Sequence, residues 1–176
     1  MYAQAGQDVE ALKVCPEGKY YVDIGSAHPH HFNNTYLLEQ HGWSGMLIDI
    51  DVAAMNLCKD MRGSNNSYVN ADLSKTSIGT IFDALSSPPI IDFISFDVDE
   101  VNEQVVQKFP FDKYKFRFAT IEHDLYHRGP HLKDYIKDVF TANGYTMYKE
   151  NVIAPGHGEY EDWYVDTQLI NSDLLI

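Results

Sequence analysis

Short apolar runs alternate along the chain with longer segments in which apolar residues recur at helical spacing. Seven runs predict β-strands, at residues 20–24, 45–50, 67–70, 90–96, 116–121, 145–149 and 163–166. Six segments predict helices, at residues 7–14, 34–41, 52–61, 78–85, 101–109 and 132–143. Runs such as MLIDI and FISF are apolar on both faces, as is typical of strands that are covered on both sides.

The alternation of strands and helices predicts a mainly parallel sheet, because parallel neighbours need a crossover between them. The last two predicted strands have no helix between them, which predicts a C-terminal antiparallel hairpin. No repeat, low-complexity tract or linker divides the sequence. We therefore predict one α/β domain over residues 1–176, with a seven-stranded sheet and helices on both of its faces.

Composition narrows the classes of function. The 176 residues include 12 Tyr and 9 Phe, enough for a sizeable core, and carry a formal charge of −13 with no cluster of Lys or Arg. Binding to nucleic acid by counterion release and to membranes through basic residues is therefore not expected. No run of about 18 apolar residues occurs, and the two cysteines, Cys15 and Cys58, are too few for a disulfide framework. The expectation is a cytoplasmic protein.

Acidic side chains follow each of the first three predicted strands, at the edge where such sheets bind ligands. Asp23 and Gly25 stand after the first strand, in VDIGSAHPHHFNNT. One glycine is too few for a dinucleotide turn, whereas a cofactor ending in an amino acid fits, with Asp23 facing its ammonium group. The helix that follows is expected to offer free N–H groups to an anion. Asp49 stands where such folds hold ribose hydroxyls, and Asp72 is suited to accept from an adenine amino group.

The fourth and fifth strands bring further acids to the centre of this edge. Asp97 and Asp99 have the period-2 spacing of a strand, and Glu122, His123 and Asp124 follow the next strand. Such a group suits either a hard cation or deprotonation of an acceptor hydroxyl. Unpaired carboxylates repel one another, so a metal, a cationic ligand or raised pKa values are expected there.

The late segment APGHGEYEDWYVD adds further candidates. His157 lies between two glycines, in a segment that could fold over an acceptor. Trp163 and Tyr164 are expected in the core, and Glu161 or Asp162 at the rim of the site. Near the first strand, His28, His30 and His31 favour acceptor contact or a solvated loop over metal binding, because no helical spacing fixes them together.

Several of these strings together resemble the FkbM-type methyltransferases, which have the Rossmann-like class I S-adenosylmethionine-dependent fold. The resemblance runs from about Gln7 to Asp166 and includes NNTYLLE, GWSGMLID, SFDVD, IEH and YEDWYV in this order. It implies cofactor binding by Asp23, Gly25, Ser26, Asn34, Thr35, Asp49, Asp72 and Asp97. In that assignment Asp23, Gly25 and Ser26 line the methionine end, and Asn34 and Thr35 stabilise the loop. Asp49 takes the ribose, Asp72 lies near adenine, and Asp97 lies near the transferred methyl group.

Three departures from the family pattern are visible. The segment AHPHH replaces the usual residues after the glycine, and its Pro29 has no N–H to offer. Asp49-Ile50-Asp51 stands in place of Glu-Pro, and SFDVDE lacks the glycine that usually follows the second acid. The missing glycine in SFDVDE bears most on the part of the site that would bind the methyl acceptor.

The resemblance implies methyl transfer from S-adenosylmethionine to a hydroxyl of a saccharide or related small molecule. Two hypotheses supply the proton acceptor: His123 acts as the base, or a divalent cation (Mg or Mn) on Asp97, Asp99 and Glu122 lowers the pKa of the hydroxyl. The catalytic candidates are thus His123, Asp97 and Glu122. The small size favours a pocket that is open or completed by a second subunit in a homo-oligomer.

Two other classes of protein stay open. Asp97-Val98-Asp99 also resembles the metal-binding motif of glycosyltransferases, although no basic residue lies nearby for a nucleotide diphosphate. The altered AHPHH loop is also consistent with a non-catalytic domain that retains the fold and has lost its cofactor.

Overall fold

One seven-stranded sheet organises the protein, which a computed structural model describes over residues 2–171. The strand order is β3-β2-β1-β4-β5-β7-β6. The strands are β1 (Tyr20–Ile24), β2 (Ser44–Asp49), β3 (Ser67–Asn70), β4 (Ile90–Phe96), β5 (Lys115–Glu122), β6 (Thr146–Ile153) and β7 (Glu159–Val165). The first five strands pair in parallel, whereas β7 is antiparallel to both of its neighbours. The predicted α/β class and the final antiparallel hairpin are confirmed.

The helices connect these strands as the sequence pattern predicts. They are α1 (Gln7–Val14), α2 (Tyr36–Gln40), α3 (Val52–Met61), α4 (Ile78–Ala84), α5 (Asn102–Gln107), α6 (Leu125–Arg128) and α7 (His131–Ala142). Asp51 caps α3 by accepting from the N–H groups of Ala53 and Ala54. Gly144 follows α7 with a φ of 89°, a conformation that favours glycine at a helix end.

The structure differs from the predicted elements mainly at the carboxyl edge of the sheet. A 3₁₀ helix (Asp99–Val101) and the four-residue α6 were not predicted, since neither is long enough to show periodicity. Strand β7 begins at Glu159, four residues before the prediction. Glu161 and Asp162, expected at the rim, are inside this strand and only 2% and 0% exposed. Their acidic character hid the strand from a pattern based on hydrophobicity.

Hydrophobic side chains fill both faces of the sheet. Along β1, Val22 and Ile24 pack on one face, and Tyr21 points to the other. Met46 and Leu47 divide between the same two faces in β2. Burial on both sides is the physical reason for the apolar runs in the sequence. Among residues 2–171, no helix has the length and apolar character needed to cross a membrane.

The strand order fixes where a ligand can enter. From β1 the chain moves outward through β2 and β3, then returns to place β4 on the opposite side of β1. The connections after β1 and β4 therefore leave in opposite directions and open a crevice at the carboxyl edge, the usual ligand position in open α/β sheets.

One face of the core depends on a cluster of aromatic rings around Phe116. Its ring is fully buried, stacks on Tyr145 at a centroid distance of 4.1 Å, and lies 5.5 Å from Phe140.

Phe116→Ala should lower the free energy of unfolding by about 3–5 kcal/mol, because the cavity that the substitution leaves is surrounded by rings that cannot collapse into it. Urea denaturation measures the loss. Leu85→Ala, at a side chain that is 46% exposed, is the control and should stay within about 0.5 kcal/mol; equal effects would contradict the packing argument.

Candidate active site

A cavity of about 590 Å³ opens at the carboxyl edge, between the connections that follow β1 to β4. This volume is in the range of small-molecule sites. Its carboxylates come from three of these connections, those after β2, β3 and β4: Asp49, Asp72, Asp97, Asp99 and Glu100. No Lys or Arg is found among the described residues that line it. The cavity therefore favours a ligand that carries positive charge.

The turn after β1 forms one wall of this cavity. Gly25 has a φ of 85°, and its N–H donates to the carbonyl of Ile48 at 2.8 Å. A Cβ atom at this position would stand 1.7 Å from the carbonyl oxygen of Asp97. Glycine is thus required twice, for the left-handed backbone and for contact between the β1 and β4 connections.

Asp23 lies behind this turn rather than in the cavity wall. Its carboxylate is 1% exposed and accepts from Thr35 Oγ1 at 2.8 Å and from Asn33 Nδ2 at 3.2 Å. Burial raises the pKa of Asp23 to about 6, although these hydrogen bonds and the charge of Arg62 oppose the shift. The expectation that Asp23 faces a cofactor ammonium is corrected: both named hydrogen bonds point it into the protein, where it anchors the following loop.

Arg62, at the end of α3, is the cation that compensates this buried charge, and no pattern in the sequence predicts its role. Its guanidinium donates to Glu39 at 2.7 Å, to the Tyr21 hydroxyl at 2.8 Å and to Asn33 at 3.0 Å. The side chain is fully buried. From the sequence, an arginine directly after a helix is expected to be exposed to solvent. Its burial here depends on partners that are distant in sequence, which a guanidinium can bind through several donors at once.

The loop after Gly25 is held by its own side chains. Asn33 Oδ1 accepts from the N–H groups of Thr35 at 3.0 Å and Tyr36 at 2.8 Å. Two of the expected free N–H groups at the start of α2 are therefore already bonded, and α2 begins eleven residues after Gly25 because the loop intervenes. His28 Nδ1 accepts from the N–H groups of the two histidines that follow Pro29.

Two more residues assigned by resemblance lie inside this loop region rather than on the cavity wall. Ser26 is 4% exposed, and Asn34 donates to Ser95 Oγ at 2.9 Å. The second bond ties the loop to β4. Asn34 therefore helps to hold the loop shape, and Ser26 is buried within the loop.

Asp49 and Asp72 line the cavity as the resemblance implies, but each also organises its own turn. Asp49 accepts from the N–H of Ala27 at 2.9 Å and from that of Asp51 at 2.8 Å. Asp72 accepts from Ser74 and pairs with Lys75 at 2.8 Å. The hydrogen bonds from Lys75 and Ser74 lower the pKa of Asp72 to about 2. A carboxylate has about four acceptor positions, so both retain capacity toward a ligand.

Three carboxyl groups meet where the β4, β5 and β7 strands end or begin. Asp97 shares a hydrogen bond with Glu122, and burial followed by this contact raises the pKa of Glu122 well above its usual range. Burial also raises the pKa of Asp97. Glu161 is opposite Glu122 in the β5–β7 ladder and accepts from Gln7 and Trp163. Burial raises the pKa of Glu161 to about 8. The group therefore holds protons at neutral pH.

The predicted metal ligands are not gathered as the sequence pattern implied. Strand β4 ends at Phe96, so Asp97 and Asp99 do not share a strand face, and Asp99 lies exposed in the 3₁₀ helix. The carboxylates with oxygens within 4.8 Å of one another are Asp99, Glu122 and Asp124. Arg128 pairs with Asp124 at 3.2 Å, Glu100 at 3.1 Å and Asp99 at 3.6 Å. A guanidinium already neutralises part of this group.

His123 is buried and does not line the cavity. Its Nδ1 accepts from the N–H of Leu125 at 3.1 Å, and its Nε2 lies 3.3 Å from Asp162 Oδ1. Asp162 also lies 3.4 Å from Lys133 Nζ. Burial alone would raise the pKa of Asp162, but the hydrogen bonds from His123 and the Asn151 N–H lower it overall. The assignment of His123 as a base toward an acceptor is corrected, because its ring is 1% exposed, lies against Asp162 inside the protein and does not line the cavity.

The fold is shared with S-adenosylmethionine-dependent methyltransferases. A TehB-like enzyme of this class from Corynebacterium glutamicum is 15% identical over 95% of this chain and 89% of its own, with a TM-score of 0.63. A putative O-methyltransferase from Klebsiella pneumoniae is 9% identical over 92% of this chain and 80% of its own, with a TM-score of 0.67. The O-methyltransferase from Bacillus cereus in complex with S-adenosylhomocysteine is 9% identical over 92% and 78%, with a TM-score of 0.65. The chain matches no family model and no curated protein.

The contact between Gly25 and the Asp97 carbonyl generates a stability prediction with a matched control. Gly25 and Gly144 both have positive φ, but no atom lies within 4 Å of the place where a Cβ would stand at Gly144. Both Gly→Ala changes cost the left-handed strain of about 1–2 kcal/mol. Gly25→Ala should cost about 2 kcal/mol more, because it also forces the two connections apart. Chemical denaturation of the two variants compares these costs, and equal losses would show that the connections separate freely.

The protonated state of Glu161 predicts a pH dependence of stability. Its folded pKa of about 8 lies above the ordinary value of 4.5, so the folded state binds more protons than the unfolded state between these values. The free energy of unfolding must therefore fall as pH rises from 4.5 to 8, by up to roughly 1.4 kcal/mol per pH unit.

Glu161→Gln should flatten this fall, since the amide does not ionise. Thermal unfolding in a pH series measures the slope, with Glu17→Gln as the control at an exposed side chain. Parallel pH profiles for wild type and Glu161→Gln would mean that Glu161 is ionised in the folded protein at neutral pH.

Proposed function

We propose that this chain is a methyltransferase that uses S-adenosylmethionine and methylates a hydroxyl of a saccharide or related small molecule. The observation that carries the proposal is the cavity of about 590 Å³ at the point where the strand order reverses, lined by five carboxylates and by no described Lys or Arg. The shared fold and the FkbM-type motifs in the sequence add support. Each fits a cofactor whose reactive centre is a sulfonium cation.

The donors and acceptors of the cavity fit this cofactor. The sulfonium and ammonium groups need negative surroundings, which Asp97 and Asp99 supply at the β4 connection. Asp49 would accept from ribose hydroxyls with the acceptor positions that its two backbone bonds leave free. Asp72 would lie toward the adenine end, and Gly25 allows close approach of the backbone. The bound cofactor would supply the electrophilic methyl group.

The protein's own part in the reaction is to align the acceptor oxygen and to take its proton. Alignment of two reactants can lower the activation barrier by a large amount. For the proton we assign the carboxyl pair of Asp97 and Glu122, in place of His123. Asp97 lines the cavity, and beside it lies Glu122, whose pKa is raised by burial and by the contact with Asp97 so that it keeps its proton. Burial makes the ionised member of the pair a stronger base than an exposed carboxylate.

A divalent cation on Asp99, Glu122 and Asp124 is the second form of this mechanism. Such an ion would lower the pKa of the acceptor hydroxyl. The ion pairs of Arg128 with two of these carboxylates support the metal-free form, because a cation would have to displace them. Turnover in the presence of a chelator distinguishes the two: full activity supports the metal-free form, and activity restored by Mg or Mn alone supports the metal.

The two other classes of function make different binding predictions. A glycosyltransferase should bind a sugar nucleotide with manganese, yet its diphosphate would face carboxylates with no described Lys or Arg among the lining residues. A non-catalytic domain should bind neither that ligand nor S-adenosylmethionine. Calorimetric titration with each compound separates the three, and we expect binding of S-adenosylmethionine.

The role of Asp97 as proton acceptor predicts a specific kinetic defect. Asp97→Asn should lower methyl-transfer turnover by about 10²-fold or more, the usual contribution of a general base. The affinity for S-adenosylhomocysteine should change less, because the other lining carboxylates remain. Product mass across a panel of saccharide and small-molecule hydroxyls measures turnover, and calorimetry measures affinity. Asp138→Asn, at an exposed position on α7, is the control; full turnover by Asp97→Asn would remove this assignment.

A further inference from the structure

An aromatic surface lies beside the carboxyl cluster formed by Asp97, Glu122 and Glu161. This surface faces solvent and is not part of the cofactor cavity. Its exposed ring is Tyr126 of α6; His157 and Gly158 lie against Tyr126, and the buried Tyr160 lies beneath His157. We refer to these four residues as the Tyr126 platform. The β6–β7 connection lies at the carboxyl edge, because β7 starts there and runs antiparallel to β5. Glu122 ends β5, four residues before Tyr126.

The Tyr126 ring is exposed and yet fixed in position. It is 52% exposed, and two contacts define its position. Its hydroxyl shares a hydrogen bond of 3.2 Å with His157 Nδ1. A Cβ at Gly158 would stand 2.5 Å from Tyr126 Cβ, so the missing side chain is what seats the tyrosine. A rigid exposed ring can contact a ligand with little loss of conformational entropy.

The platform has a solid base. The His157 ring lies 5.8 Å from that of Tyr160, which is 3% exposed and accepts from Gln7 Nε2 at 2.7 Å. The carbonyl of Tyr160 accepts from the N–H groups of His123 and Asp124 at 2.7 and 2.9 Å. These bonds attach His123 and Asp124, the two residues before α6, to the start of β7.

Arg128 connects the platform to the cofactor cavity. It belongs to the same four-residue helix as Tyr126, and its guanidinium pairs with Glu100 at 3.1 Å and with Asp99 at 3.6 Å. Both of these acids line the cavity. The position of Tyr126 is thus set relative to the cavity by ion pairs on one side and by Gly158 on the other.

We propose that the Tyr126 platform is the acceptor subsite and that it takes a neutral, hydroxyl-rich ring of the pyranose type. This inference rests on the proposed function. The C–H face of such a ring packs on an exposed aromatic side chain, while its hydroxyls donate to the neighbouring carboxylates. The acids of the rim and the net charge of −13 repel an anionic acceptor. A flat aromatic acceptor would leave most of these carboxylate acceptors unused.

Ligand-observed NMR on the full chain, without cofactor, tests the proposal. The probes are methyl β-glucopyranoside, methyl β-galactopyranoside and methyl α-mannopyranoside, with glucose 6-phosphate and catechol as comparisons. We expect saturable binding of at least one pyranoside. Tyr126→Ala should weaken it by about tenfold, whereas Tyr126→Phe, which keeps the ring face, should stay within about threefold.

Gly158→Ala is the second variant, because it keeps the tyrosine and displaces its ring; it should weaken binding like Tyr126→Ala. Leu85→Ala, at the opposite edge of the sheet, should leave binding unchanged. Thermal unfolding of each variant verifies that it is folded. Binding of no pyranoside, equal binding by wild type and Tyr126→Ala, or tighter binding of catechol or glucose 6-phosphate would each overturn the proposal.

The proposed function can fail independently of this subsite. Calorimetry with S-adenosylhomocysteine reports on the cofactor cavity alone, and Tyr126→Ala should bind it as wild type does. Binding of S-adenosylhomocysteine without any pyranoside would leave the methyltransferase standing and remove the subsite. Binding of a pyranoside without S-adenosylhomocysteine would remove the methyltransferase and identify the platform as a saccharide site of another kind.

Discussion

Carboxylates cannot remain ionised side by side away from water, and this constraint organises the carboxyl edge of the sheet. The buried acids satisfy this constraint in different ways. Asp23 is compensated by Arg62 through shared partners, and Asp162 by His123 and Lys133. Burial and the contact with Asp97 keep Glu122 protonated, and burial does the same for Glu161. Asp49, Asp72, Asp99 and Glu100 face the cavity and give it its negative potential.

The fold could be predicted from the sequence because hydrophobic periodicity reports burial on the two faces of the sheet. Strands β1 to β5 and all helices longer than four residues follow the predicted pattern closely. The positions of Asp49, Asp72 and Asp97 on the cavity could also be anticipated, since a residue after a parallel strand must lie at the carboxyl edge.

The prediction failed where side-chain direction depends on contacts far away in sequence. His123 follows β5 as a base should, yet Asp162 in β7 draws its ring into the protein. Arg62 has no local signal at all, because its partners lie on α2, β1 and the loop between them. Glu161 and Asp162 were expected at the rim for the same reason: an acid buried by tertiary partners has the same letter as a solvated one.

Two glycines bring separate connections into contact by different means. Gly25 combines a left-handed backbone with a place where only hydrogen fits beside the Asp97 carbonyl. Gly158 needs no unusual φ and serves only to admit the Tyr126 side chain. The first sets the wall of the cofactor cavity and the second sets the Tyr126 platform, so both surfaces depend on the absence of a methyl group.

The position of β7 has a consequence for how the molecule assembles. Among residues 2–171 this strand is the last in sequence, and it lies between β5 and β6 in the sheet. It brings Glu161 to Gln7, a hydrogen bond between residues 154 positions apart. During synthesis, the first five strands can pair while β5 still has an open edge, and the carboxyl cluster stays incomplete until β7 inserts. Contacts of such long sequence separation slow folding, so the nascent chain must spend time with an unpaired central strand edge that can recruit other chains.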